Sequence, residues 1–291
     1  MHWIPLVLAG TLCAMAASPH GSTRRAPGQA GILAAEWAFI RHCERDGMKP
    51  AFQAAFHPEG LLFRPEPQNG RDWYARLPET PARLSWFPAV AGAAQSGDLG
   101  YTSGPWEWRE RPEASATAFG WFLSVWRRDP EAGWQLLWDI GIPTRSAARG
   151  VRPLPVPGST RPDPQPAAAP LSAEQALELD RRFAAAASAR AELAYRTHLA
   201  PEGRLYRSPD PPSVGWVPAR ALLASRPGPA AWEPAGSAVA ASGELLFVHG
   251  TYQRRPPAGP PESGTYVRAW RRLGTAWTLE FDLESPRKPA P

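Results

Sequence analysis

The feature that most constrains this chain is that it is written twice. Pro58-Glu59-Gly60 returns as Pro201-Glu202-Gly203, Trp73 as Trp216, Trp86 as Trp232 and Ser96-Gly97-Asp98 as Ser242-Gly243-Glu244. Further on, Gly104 returns as Gly250, Trp126-Arg127-Arg128 as Trp270-Arg271-Arg272, Trp134 as Trp277 and Asp139 as Asp282. The offset moves only between 143 and 146 residues. Order and spacing kept in this way require two copies of one fold. The copies are expected at 31–143 and 172–285, joined by residues 144–171 and followed by a short tail, 286–291.

Each copy reads as helices followed by sheet. In the first, Leu33, Trp37, Ile40 and Cys43 form a helical stripe, with Glu36, Arg41, Glu44 and Arg45 off it. A short helix over Pro50–Phe56 follows, then a strand at 61–63, a loop leading into a short helix, and strands at about 84–95, 99–109, 116–128 and 134–142. Ser96-Gly97-Asp98 and Asp129-Pro130 supply turn chemistry between strands. The second copy opens on Ser172-Ala173-Glu174-Gln175, a capping box. This is an α+β pattern, with helices on one face of a curved antiparallel meander.

The joining segment holds seven prolines between residues 144 and 170, which predicts a semi-rigid extended linker. Residues 18–30 read as a flexible lead-in. The net charge of +5 lies in the lead-in, the linker and the tail, so no folded face carries the basic patch that nucleic-acid binding needs.

Residues 1–17 read as a signal peptide. An apolar run from Trp3 to Leu12 precedes Ala14-Met15-Ala16, a small-x-small cleavage pattern. The run is too short to serve as a stable membrane span. This predicts a periplasmic or secreted bacterial protein. Cys13 offers the alternative of a lipoprotein anchor, although Leu12 stands where a lipobox wants a small residue. Cys43 is then the one remaining cysteine, a buried structural thiol.

The run Gly97-Asp98-Leu99-Gly100-Tyr101, then Val125-Trp126-Arg127-Arg128, then Gly133-Trp134-Gln135-Leu136-Leu137-Trp138-Asp139, behind a helical third with Asn69-Gly70-Arg71, resembles the SnoaL-like, domain-of-unknown-function branch of the nuclear transport factor two-like superfamily. The resemblance covers 32–143 well and 172–285 less well, because the second copy has Pro212-Ser213-Val214 in place of the Asn-Gly-Arg triplet. It implies two cones, each a bent sheet around helices with a pocket between them. It also implies a superfamily that mixes isomerase- and cyclase-like enzymes with binding and structural modules.

The candidate chemistry is sparse. Asp139 in an apolar cone is the residue type that carries a proton beside a carbonyl, and Tyr101 is the candidate to hold the resulting oxyanion. The bland alternative is that Asp139 and Asp282 accept structural hydrogen bonds where the sheet meets the helices. The expected ligand-binding set is Trp37, Phe63, Arg64, Tyr101, Trp106, Trp126 and Asp139, and the expected partner is a small apolar or aromatic molecule. No metal set, phosphate loop or cofactor motif is present in the sequence.

The last strands of the first copy are apolar on both faces, with Trp121, Leu123 and Val125 alternating with Phe122 and Trp126. Both faces must therefore be covered, which predicts an intrachain pseudo-dimer with sheet packed on sheet; an aromatic platform for ligands is the alternative. Three functional readings follow: an exported ligand-binding or accessory protein with its pocket in the first copy, an isomerase-, cyclase- or dehydratase-type enzyme using Asp139, and a structural module whose cones are filled by their own side chains.

Overall fold

A computed structural model describes residues 27–64, 66–155 and 169–287. The signal-peptide reading and the centre of the linker lie outside these residues. In the first repeat, helices α1 (Pro27–Asp46) and α2 (Met48–Ala55) lead into strand β1 (Phe56–Phe63), β2 (Pro67–Asn69) and α3 (Gly70–Arg76). Then come β3 (Arg83–Trp86), β4 (Val90–Ala93), β5 (Leu99–Arg109), β6 (Ala118–Asp129) and β7 (Gly133–Thr144). The second repeat runs α4 (Ala173–His198), β8 (Leu199–Arg207), β9 (Ser213–Val214), α5 (Trp216–Ser225), β10 (Ala230–Val239), β11 (Leu245–Arg254), β12 (Glu262–Leu273) and β13 (Ala276–Pro286).

Strand order is β2-β1-β7-β6-β5-β3, with β4 beside β5, in one sheet and β10-β11-β12-β13-β8-β9 in the other. The expected meander is antiparallel, but β1 joins β7 in parallel, as β8 joins β13, so each sheet is mixed. The short β2 pairs with one side of β1 and the last strand, β7, with the other.

The helix break is duplicated too. Gly47, at φ 91, separates α1 from α2, and the aligned Arg190 is non-helical inside α4. The capping box at Ser172 and Gln175 is formed, at 3.2 and 2.8 Å. Two sequence expectations need correction. The first helix begins at Pro27, inside the expected lead-in. Its buried side contains Ile32, Glu36 and Phe39 as well as Leu33, Ile40 and Cys43, so Glu36 is core rather than surface. A carboxylate is tolerated there because Trp86 Nε1 and Thr102 Oγ1 both donate to it, each at 2.5 Å.

The two sheets pack face to face. Trp121, Leu123, Val125 and Trp138 from the first meet Tyr206, Phe247, Val267 and Phe281 from the second in one buried cluster. At its edge the two tight turns bond reciprocally. Ser96 Oγ lies 2.8 Å from Ser242 Oγ. Gln95 N donates to Glu244 Oε1 at 2.7 Å, and the equivalent Ala241 N donates to Asp98 Oδ2 at 2.9 Å. Residue pairs that exchange roles in this way mark a pseudo-twofold axis, the isologous arrangement of a homodimer within one chain. The start of the linker is also docked. Leu154 N donates to Pro88 O and Leu154 O accepts from Trp37 Nε1, while Ala148 and Val151 pack on the inter-sheet cluster. Residues 144–155 are therefore held against the folded body, in contrast to the extended spacer their prolines predict.

Candidate functional site

The concave face of the first sheet encloses a cavity of about 460 Å³. Helices α1, α2 and α3 bring Phe39, Phe52 and Tyr74 to one wall, and the sheet brings Trp86, Trp106 and Phe122 to the other. Its polar lining is Ser124, Asp139 and Arg64. Side chains on β6 alternate, so Phe122, Ser124 and Trp126 face the helices while Trp121, Leu123 and Val125 face the other sheet. Gly120 and Gly141 keep the wall thin here: a Cβ at Gly120 would strike the Trp106 ring at 2.3 Å.

Asp139 sits on β7 directly across from Ser124, whose Oγ donates to it at 2.9 Å. It is 92% buried, with the remaining 8% exposed. Burial raises its pKa, against the lowering effects of Arg64 and of the Ser124 bond. Arg64 itself is exposed, and among the described residues its guanidinium makes one long bond, to Phe63 O at 3.4 Å. Glu36 is wholly buried and is pushed up to about 7 by desolvation, against the bonds from Thr102 and Trp86; the nearby Asp139 raises it further. The first cone thus holds two carboxyls that its interior makes reluctant to ionise.

Of the residues expected to bind, Arg64, Trp106 and Asp139 line this cavity. The other four are placed elsewhere. Tyr101 pairs across the sheet with Val125, so its ring lies in the inter-sheet cluster against Phe281 at 4.9 Å, with its hydroxyl beside Glu280 and Arg271. It cannot assist Asp139 from the opposite face of the sheet. Phe63 also turns outward, edge-on to His249 at 5.3 Å. Trp37 is tied to the linker, and Trp126 is buried with its Nε1 on Thr102 at 2.9 Å. Glu36, Phe39 and Trp86 were missed. The signal that identifies them is alignment with the second repeat, where Asp180, Phe183 and Trp232 hold the same positions.

The second cone is built on the same frame but filled. Arg268 stands where Ser124 does, Glu284 where Gly141 does, and Tyr266 where Phe122 does. Arg268 Nη1 donates to Asp180 at 3.0 Å and its Nε to Asp282 at 3.2 Å. Arg207, the counterpart of Arg64, pairs with Asp282 at 3.1 Å and Glu284 at 2.9 Å and is buried. Asp282 is correspondingly different from Asp139. Burial would raise it, but Arg207 and Arg268 hold it below the ordinary aspartate value.

No protein-family model matches the sequence, and no curated protein matches it. Solved structures do match at the level of one repeat. A ketosteroid isomerase-like protein from Erwinia carotovora is 20% identical and covers 40% of this chain and 95% of its own, with a TM-score of 0.33. A nuclear transport factor two-like protein of unknown function from Pseudomonas putida is 18% identical, covering 38% and 84%, with a TM-score of 0.33. A domain of unknown function with a cystatin-like fold from Nostoc punctiforme is 18% identical, covering 42% and 79%, with a TM-score of 0.34.

Proposed function

We propose that this protein binds a small, mostly apolar molecule in the cone of its first repeat, with the second repeat serving as a packed partner that completes the fold. The observation that carries this reading is the contrast between a 460 Å³ cavity in one cone and a buried network of Arg207, Arg268, Asp180 and Asp282 in the other. A cavity of several hundred Å³ with aromatic walls and a few polar groups has the form of a small-molecule site. Export belongs to the same proposal. It rests on the apolar run and small-residue pattern of residues 3–16, and N-terminal sequencing of the protein from its own cells should find the chain starting shortly after Ala16.

The binding half is tested with prodan, a neutral naphthalene probe. Its emission should shift to the blue on mixing with the protein, while tryptophan emission falls. Ser124→Phe, which fills the cavity from β6, should abolish both changes. Binding that persists in this variant would place the probe elsewhere and overturn the reading.

A second reading, proton transfer beside a carbonyl, is favoured by the raised pKa of Asp139 at the wall of an apolar cavity. Protein-dependent deuterium uptake at the α-carbon of 2-tetralone, lost in Asp139→Asn, would support it. Uptake no faster than in buffer would rule it out for that class of ketone.

A further inference from the structure

The second cone shows what the frame of the first is shaped to hold. The Arg268 guanidinium lies over three rings, Phe183 at 4.8 Å, Trp232 at 4.9 Å and Tyr266 at 4.5 Å. It also bridges two carboxylates, Asp180 and Asp282. Every one of these neighbours has a counterpart in the first repeat. Phe39, Trp86 and Phe122 replace the three rings, Glu36 replaces Asp180 and Asp139 replaces Asp282. Only the cation is gone: Ser124 occupies the Arg268 position and leaves the space open. The first cone therefore keeps a cage and a counter-charge for a guanidinium it does not itself supply.

Resting on the small-molecule reading above, we propose that the cavity of the first repeat takes a small organic monocation, a guanidinium or alkylammonium group on an apolar or aromatic body, in the place that Arg268 fills in the second. The cationic head lies among Phe39, Trp86 and Phe122 and pairs with Asp139. Glu36 lies behind this wall, where it holds Trp86 Nε1 and Thr102 Oγ1. The apolar body extends toward Trp106 and Trp108, where the second repeat has Tyr252 and Arg254. Charge fits as well. Asp139 is the one carboxyl group lining the cavity, and a monocation beside it offsets part of the cost of ionising that buried acid. Ring faces and a buried carboxylate together recognise cations by the same interactions seen around Arg268.

The test is a calorimetric titration of the full chain with phenethylguanidinium, phenethylammonium and the neutral isostere phenethyl alcohol. The two cations should bind roughly tenfold or more tightly than the alcohol. Asp139→Asn should weaken the cations by about tenfold and leave the alcohol within about threefold, which also shows that the variant is folded. Ser124→Arg should fill the cone internally and abolish binding of all three, with unchanged circular dichroism. Equal affinity for alcohol and cations, or cation binding indifferent to Asp139→Asn, would overturn the inference and leave an apolar receptor standing. Prodan bound with no cation bound would do the same. No binding of any probe, prodan included, would overturn both.

Discussion

The two cones differ in how they treat the same buried aspartate. In the second repeat Asp282 is surrounded by Arg207, Arg268 and Tyr195, at 3.1, 3.2 and 2.5 Å, and is fully buried. In the first, Asp139 keeps one hydroxyl partner and faces open space. The backbone frame, the strand register and the aromatic lining are shared, so the difference rests on a few side chains: Ser124 for Arg268, Gly141 for Glu284 and Phe122 for Tyr266. One copy has used its interior to hold itself together. The other has left its interior free, and that is where binding should be sought.

The largest expected effect comes from emptying the filled cone. Arg268→Ala leaves Asp180 and Asp282 buried without their shared cation, a change that costs about 3–5 kcal/mol. Urea denaturation should show that loss. Arg64→Ala in the first repeat removes an exposed side chain with one weak bond, and its cost should stay within about 1 kcal/mol. Equal losses would mean that the two cones are held together in the same way and would break the comparison.

The next effect is one of pH, and the two cones should respond with opposite sign. Glu36 rises from 4.5 to about 7 on folding, so between those values the folded protein keeps a proton that the unfolded chain has released. Stability then falls as pH rises through that window, by about 3 kcal/mol from this one group. Asp139, also raised, acts in the same direction. Asp282 is lowered below 3.8, so its contribution is present above that value and is lost as pH falls below it. His249, lowered to about 4 by burial, acts in the opposite direction between about 4 and 6.5, so the Glu36 contribution is read as the difference between wild type and Glu36→Gln. In urea denaturation the wild type should lose about 3 kcal/mol relative to Glu36→Gln from pH 4 to pH 8. A difference between wild type and Glu36→Gln that stays constant across that range would show that Glu36 ionises freely in the folded state.

Much of this was legible in the sequence. The duplication predicted two copies of one fold, and apolar residues on both faces of 121–126 predicted that a second sheet must cover the first. The strand limits near 99–109 and 134–142 follow from Gly, Asp and Pro at the turns. Glu36 was not legible as a core residue, because a charge on a helix reads as solvent-facing unless its partners are known, and Trp86 and Thr102 lie 50 and 66 residues away. The matched aspartates concealed more than they showed. Asp139 and Asp282 align, but their environments are set by the unmatched residues opposite them, and charged Arg268 and Glu284 at core-facing strand positions were the available clue. The linker misled in another way: proline content reports local stiffness, and says nothing of whether residues such as Leu154 find a surface to bind.

The smallest expected effect sharpens the comparison at Tyr101, the residue whose chemistry suggested a partner for Asp139. Alternation along a strand decides its place. Ser124 faces the cavity, its neighbour Val125 faces the other sheet, and Tyr101 is the cross-strand partner of Val125. The ring therefore rests over Gly92, where a Cβ would meet its hydroxyl at 2.6 Å, and against Phe247 and Phe281 of the second repeat. Tyr101→Phe keeps that packing and removes only the hydroxyl beside Glu280, a loss of about 1 kcal/mol or less in urea denaturation. Prodan affinity should not change, because the altered atom is on the far side of the sheet from the cavity. A several-fold drop in that affinity would mean that the inter-repeat face and the cavity are coupled through β5 and β6. The second cone would then set the shape of the first one's site as well as cover its back.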